Sequence, residues 1–168
     1  MGRSDESLRA TRLVFYKEDI EVIGKALTVF LKSANAQCAL LVDKDGHLVT
    51  KEGESSTYDM DTISALVAGS FAATKQMAKL LGEEEFALMF HQGKKDNIQL
   101  SLVGERTILA VIFDDRTTLG MVRLYSTRVS SKLGQVFDEI SARKTESETI
   151  SQEFGQAALG KLDDIFGR

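Results

Sequence analysis

Proline is absent from this chain of 168 residues, where an average usage of ~5% would place about eight. The residue that breaks helices and removes sheet donors is therefore missing, which suits uninterrupted helices and tight hairpins. A single cysteine, Cys38, excludes internal disulfides and any cysteine-based metal spacing. Set in the apolar run CALLV, it reads as a small buried hydrophobe. No apolar run approaches the roughly 18 residues of a membrane span, and the polar opening MGRSDESLRATR has no apolar core of the kind a signal peptide needs. A cytoplasmic protein without membrane insertion is expected. The formal charge of -4 is mild and the basic residues are scattered, so no nucleic-acid footprint stands out.

Catalytic patterns are equally scarce. The only two histidines, His47 and His91, fall in different strand candidates with no acidic partner at motif spacing, and read as strand-end polar residues. Neither a G-x-x-x-x-G-K-[ST] nor a G-x-G-x-x-G loop occurs, so the chain has no cradle for a nucleotide phosphate. Asp43 and Asp45, with Glu54 further on, have the glycine at the fourth position where a calcium loop needs it at the sixth, which favours a plain hairpin turn. Asp114 and Asp115 serve more simply as helix-capping residues than as paired acids. Ser70 and Ser101 lack a nucleophile context. Arg106 and Arg116 lie in loops, where an arginine finger toward a partner enzyme and a plain surface ion pair are the two readings. No cofactor is expected, and no catalytic constellation is present.

What the chain does have is periodicity. Ile20, Ile23, Leu27, Phe30 and Leu31 recur at helical spacing between Glu18 and Ala34. The period then changes to that of a strand in CALLV (38–42), and the turn Asp43-Lys44-Asp45-Gly46 leads into HLVTK (47–51), a hairpin in which Gly46 suits a positive φ. A helix follows over 63–81, with Asp59 or Asp61 as N-cap and Gly82 just past its end. FALMFH (86–91), NIQLSLV (97–103) and TILAVIF (107–113) are strands joined by short turns. A long last helix carries Leu119, Val122, Val129, Leu133, Val136, Phe137 and Ile140 as its buried stripe. The fold class expected is α+β: a five-stranded antiparallel sheet with three flanking helices in the order αββαβββα. Leu40, Val42, Leu100, Leu102, Leu109 and Val111 are expected to fill its core. Residues 1–12 are expected to be a disordered N-terminus, 13–143 the domain, 144–149 (KTESET) a polar linker and 150–168 a short amphipathic helix opened by a capping box of Thr149 and Gln152.

Two apolar surfaces are left without an internal partner. On the 63–81 helix, Ile63, Leu66, Val67, Met77 and Leu81 are expected to face the core, which leaves Ala65, Ala68, Gly69, Ala72 and Gln76 outward. No ionisable residue occurs between Asp61 and Lys75. A small, uncharged outward face lets chains approach closely and favours a twofold dimer. The second surface is the C-terminal stripe of Ile150, Phe154, Ala158, Leu162, Ile165 and Phe166.

The strings ANAQCALLVDKDGHLV, LVAGSFAATKQMAKLLGEEEF, HQGKKDNIQLSLVGERTILAVIFDDRTTLGMVRL and LDDIF resemble the Roadblock (dynein light chain) family, and within it the branch that serves bacterial gliding motility. The resemblance covers about 15–143 and a weaker tail match. It implies a Roadblock/profilin-like fold and a homodimer that binds a small Ras-like GTPase of the MglA type and accelerates its GTP hydrolysis. The dimer would hold the GTPase's own catalytic residues in place without an arginine finger, in cell polarity, concentrated at a cell pole. The platform positions here are Ala68, Ala72 and Gln76, with Ala65 and Gly69 adjoining. Ile150, Phe154, Leu162, Ile165 and Phe166 would carry a second contact that promotes nucleotide exchange. A passive dimeric scaffold and a small-molecule sensor with an internal cavity are the alternatives.

Overall fold

In the computed structural model, the backbone is described for residues 13–166 and the side chains for 13–162. The N-terminal segment 1–12 and the side chains of Ile165 and Phe166 lie outside the described residues. The element order is α1 (Lys17–Ala34), β1 (Cys38–Asp43), β2 (Leu48–Gly53), α2 (Met60–Leu80), β3 (Leu88–Gln92), β4 (Asn97–Val103), β5 (Thr107–Phe113) and α3 (Leu119–Phe166). The strands form one antiparallel sheet in the order β2-β1-β5-β4-β3. The two hairpin systems, β1-β2 and β3-β4-β5, are thus joined by the long-range pairing of Leu40 with Ala110 and Leu41 with Leu109.

Alternation along the central strands sorts the core into two layers. On one face Cys38, Leu40, Val42, Leu100, Ile108, Ala110 and Ile112 pack with Met60, Val67 and Phe71 of α2, and Leu102 is partly buried against this cluster. On the other face Leu41, Leu109 and Val111 are buried. There the Gln99 amide donates to Ser101 Oγ at 3.1 Å and to Ser126 Oγ of α3 at 3.0 Å, which places that part of α3 on the face opposite α2. Helix α1 packs on β1 and β2 and buries Ile23, Leu27, Phe30 and Leu31.

Local chemistry sets the helix ends. The Tyr16 N–H donates to Asp19 Oδ2 at 2.8 Å at the start of α1, and the Thr62 N–H donates to Asp59 Oδ1 at 3.1 Å at the start of α2, making Asp59 its N-cap. At the other end of α2, Gly82 (φ +83°) donates to Lys79 O at 3.1 Å and Glu83 to Ala78 O at 3.0 Å, the two bonds of a Schellman motif.

Phe15–Val136 form one compact unit, and α3 from Phe137 onward belongs to a second. Where a linker was expected, 144–149 is helical, and α3 is unbroken from Leu119 to Phe166. The same polar residues are accommodated within the helix. Lys144 and Glu148 pair at i,i+4 with 3.8 Å between Nζ and Oε1, and the Thr145 and Thr149 hydroxyls donate back to Ser141 O and Thr145 O at 3.1 and 2.9 Å. Thr149 therefore opens no new helix, because a continuing helix leaves no free N–H groups there to cap. From 145 to 162 every side chain is exposed.

The tail helix holds two glycines, and a Cβ added at Gly155 or Gly160 would meet nothing within 4 Å. Gly155→Ala with Gly160→Ala is expected to stabilise this segment by about 1 kcal/mol per site. Amide hydrogen exchange over 150–162 is the measurement, and slower exchange confined to that stretch is the expected outcome.

Candidate interaction surface

The buried side of α2 is centred on Met60, Ser64, Val67, Phe71 and Ala78. This differs in phase from the sequence expectation. Leu66 and Met77, expected in the core, are 65% and 56% exposed, and Leu81 is exposed as well. The outward face therefore carries Ala65, Leu66, Gly69, Ala72, Gln76, Met77 and Leu80, with Leu80 at 88% exposure. It is broader and more apolar than the alanines alone implied, and a monomer gains nothing by showing so contiguous an apolar strip to water.

Ala68 does not belong to that face. It is only 6% exposed, and the reason is the turn of the β1-β2 hairpin. Gly46 has φ +95°, and a Cβ built on it would lie 3.2 Å from Ala65 Cα and 3.7 Å from Ala68 Cβ. The turn thus rests directly on α2. Asp43 fixes it, its Oδ1 accepting from the Asp45 and His47 N–H groups at 3.0 and 2.9 Å. Asp43, Asp45 and His47 do cluster closely enough to suggest a cation, but with those two bonds Asp43 acts as the organiser of a turn. Of the five predicted platform residues, Ala65, Gly69, Ala72 and Gln76 are exposed together and Ala68 is covered.

Both loop arginines are held in ion pairs. Arg116 Nε lies 2.9 and 3.1 Å from the two Asp114 oxygens, its Nη2 lies 3.7 Å from Glu54, and its carbonyl accepts from Asn35 Nδ2 at 2.9 Å. The Arg116 hydrogen bond holds the Asp114 carboxyl below the usual carboxylate range, and Asp114 in turn raises the pKa of Arg116. Gln37 Nε2 donates to the same Asp114 at 2.8 Å. This network ties the end of α1 to the β5-α3 loop. Arg106 Nη2 sits 3.9 Å from Asp45. Burial pushes the Cys38 thiol up to about 11, far from a nucleophile's range.

In the tail, Ile150, Phe154 and Leu162 are 66%, 78% and 48% exposed, with Leu159 beside them at 63%. Among the described residues no helix is long and apolar enough to cross a membrane.

Residues 23–113 match the Roadblock/LC7 domain family. The chain belongs to that family. The match runs from the middle of α1 to the end of β5, the part of the Roadblock domain that holds the whole sheet and α2. The solved structure of Myxococcus xanthus MglB is similar at 41% identity and a TM-score of 0.72, over 76% of this chain and 96% of that one. A gliding protein, MglB, from Thermus thermophilus gives 34% identity and 0.71 over the same shares. An uncharacterised Aquifex aeolicus protein is 27% identical over 150 residues, 88% of this chain and 90% of its own. Schizosaccharomyces pombe profilin, at 14% identity and a TM-score of 0.52 over 67% of this chain and 97% of that one, shares the fold alone.

Proposed function

We propose that this Roadblock protein is a dimeric regulator of a small Ras-like GTPase of the MglA type and speeds its GTP hydrolysis. The observation that carries the proposal is the outward face of α2, where Ala65, Gly69, Ala72 and Gln76 lie among exposed Leu66, Met77 and Leu80. Similarity to MglB, at 41% and 34% identity in two solved structures, supplies the functional class. Two copies related by a twofold axis bring two such faces into one platform, small enough in relief for a third protein to sit closely. The platform contributes positioning rather than reacting groups: it holds the GTPase's own water-orienting and charge-stabilising residues in their productive places. In the same reading the exposed stripe of Ile150, Phe154 and Leu162, with Ile165 and Phe166 beyond it, contacts a second surface of the GTPase and promotes nucleotide exchange. The setting is bacterial cell polarity and gliding motility.

Single-turnover GTP hydrolysis by the cognate GTPase, with and without the chain, tests this. Stimulation is expected, and binding with unchanged hydrolysis and exchange rates would reduce the protein to a scaffold. Arg116 distinguishes the mechanism. Held by Asp114 and Glu54, it is expected to be dispensable, so Arg116→Ala retains stimulation within about twofold, whereas an arginine finger would be worth on the order of 10³-fold or more.

A further inference from the structure

The side of the Roadblock domain opposite α2 carries a second apolar feature. Between α1 and α3 runs an open groove of about 260 Å³. Ala26, Phe30 and Val129 form its buried floor, and Val29, 63% exposed, stands on one wall. Tyr125 stands on the other, with the Arg128 guanidinium 5.3 Å from its ring centroid. Among the described residues, Arg128 and Lys132 are the charged ones that line the groove. The rows are helical: Ala26, Val29 and Ser33 on α1, and Tyr125, Arg128 and Lys132 on α3, with exposed Val22 and Met121 continuing each by one turn. Paired rows of this spacing around an apolar floor are the receiving surface for another helix.

The same chain carries an exposed helix of matching chemistry. Ile150, Phe154 and Leu162 form its apolar stripe, and Glu146 and Glu153 lie along one flank of it, while Glu148 is paired with Lys144. An acid-flanked apolar stripe complements a groove rimmed by two cations. Turning a helix back along its own flank takes a connection of a few non-helical residues, and α3 has none between Leu119 and Phe166. A second copy can present the same segment with α3 unbroken. We infer that the α1-α3 groove of one copy receives the C-terminal segment of a second copy, through Ile150, Phe154 and Leu162 on an apolar floor with the glutamates toward Arg128 and Lys132. A seated tail is withheld from any other partner, so this contact competes with the nucleotide-exchange contact proposed above while standing independently of it.

The test uses the full-length chain without a GTPase. Val29 is replaced by photoreactive p-benzoylphenylalanine, isotopically heavy and light preparations are mixed, left to exchange and irradiated, and the cross-linked peptides are identified by mass spectrometry. Cross-links from position 29 to the 146–164 region that join heavy to light chains are expected. Phe154→Glu and, separately, Lys132→Glu should each lower their yield at least about tenfold, since both positions are exposed and neither substitution disturbs the fold. Cross-links confined to a single chain, cross-links to other segments, or undiminished yields in both variants would overturn the inference.

Discussion

Ala72→Arg is expected to abolish stimulation of GTP hydrolysis while leaving the fold of the Roadblock domain unchanged. Position 72 is exposed on α2, and arginine is a good helix former, so the free chain loses little by the change. A surface substitution of this kind stays within about 0.5 kcal/mol, which keeps the melting temperature within roughly 2 °C of wild type. The platform behaves differently. In the proposed dimeric platform small side chains permit close approach, so a guanidinium brought to the same place would be desolvated without a partner, and the proposed twofold axis would present the charge twice. Uncompensated burial of a charge costs about 3–5 kcal/mol, a loss of affinity from roughly 10² to a few times 10³. Hydrolysis rates with excess chain, read beside sedimentation of the free protein, separate loss of the dimer from loss of the GTPase contact. Stimulation equal to wild type would remove α2 from the mechanism.

Most of the element pattern follows from local rules. Strands β4 and β5 sit where alternating and continuous apolar runs place them, and the ends of α2 follow from Asp59 and Gly82. Local rules fail where the answer depends on residues far apart. The pairing of Leu41 with Leu109 fixes the strand order and has no local signature, and neither has the network of Asn35, Gln37, Asp114 and Arg116. The phase of α2 escapes them for another reason. The helix has apolar residues on two sides, one for its own core and one outward, so a search for a single apolar face averages them and selects Leu66 and Met77 wrongly. Anchoring the phase on Phe71, the largest apolar side chain in the helix, places Met60, Val67 and Ala78 inward and recovers the observed arrangement. The tail misleads through composition. Polar residues without apolar neighbours describe a linker and a solvated helix equally well, and the i,i+4 spacing of Lys144 and Glu148 is compatible with the helix without deciding for it.

Ala68 makes the sharpest test of that revised phase, because the alanine four residues before Ala72 is expected to give the opposite result. Ala68→Arg should unfold or strongly destabilise the domain rather than spare it. The hairpin turn lies on this side chain, with the position of a Gly46 Cβ only 3.7 Å from Ala68 Cβ. The turn has little room to retreat, since Asp43 binds two of its backbone N–H groups and Gly46 already occupies a conformation that other residues rarely adopt. Overpacking alone costs about 1–3 kcal/mol, and partial burial of a guanidinium adds to it. A total of roughly 3 kcal/mol or more is a large share of a domain's 5–15 kcal/mol, and for a chain of this size about 2–4 °C of melting temperature accompanies each kcal/mol. Urea denaturation should show the midpoint falling well below wild type with an unchanged slope. Ala68→Gly, which removes the packed methyl without forcing the turn, should lose only about 1 kcal/mol. If Ala68→Arg instead kept wild-type stability and lost only its self-association, the hairpin would not cover α2 at this point and Ala68 would return to the platform.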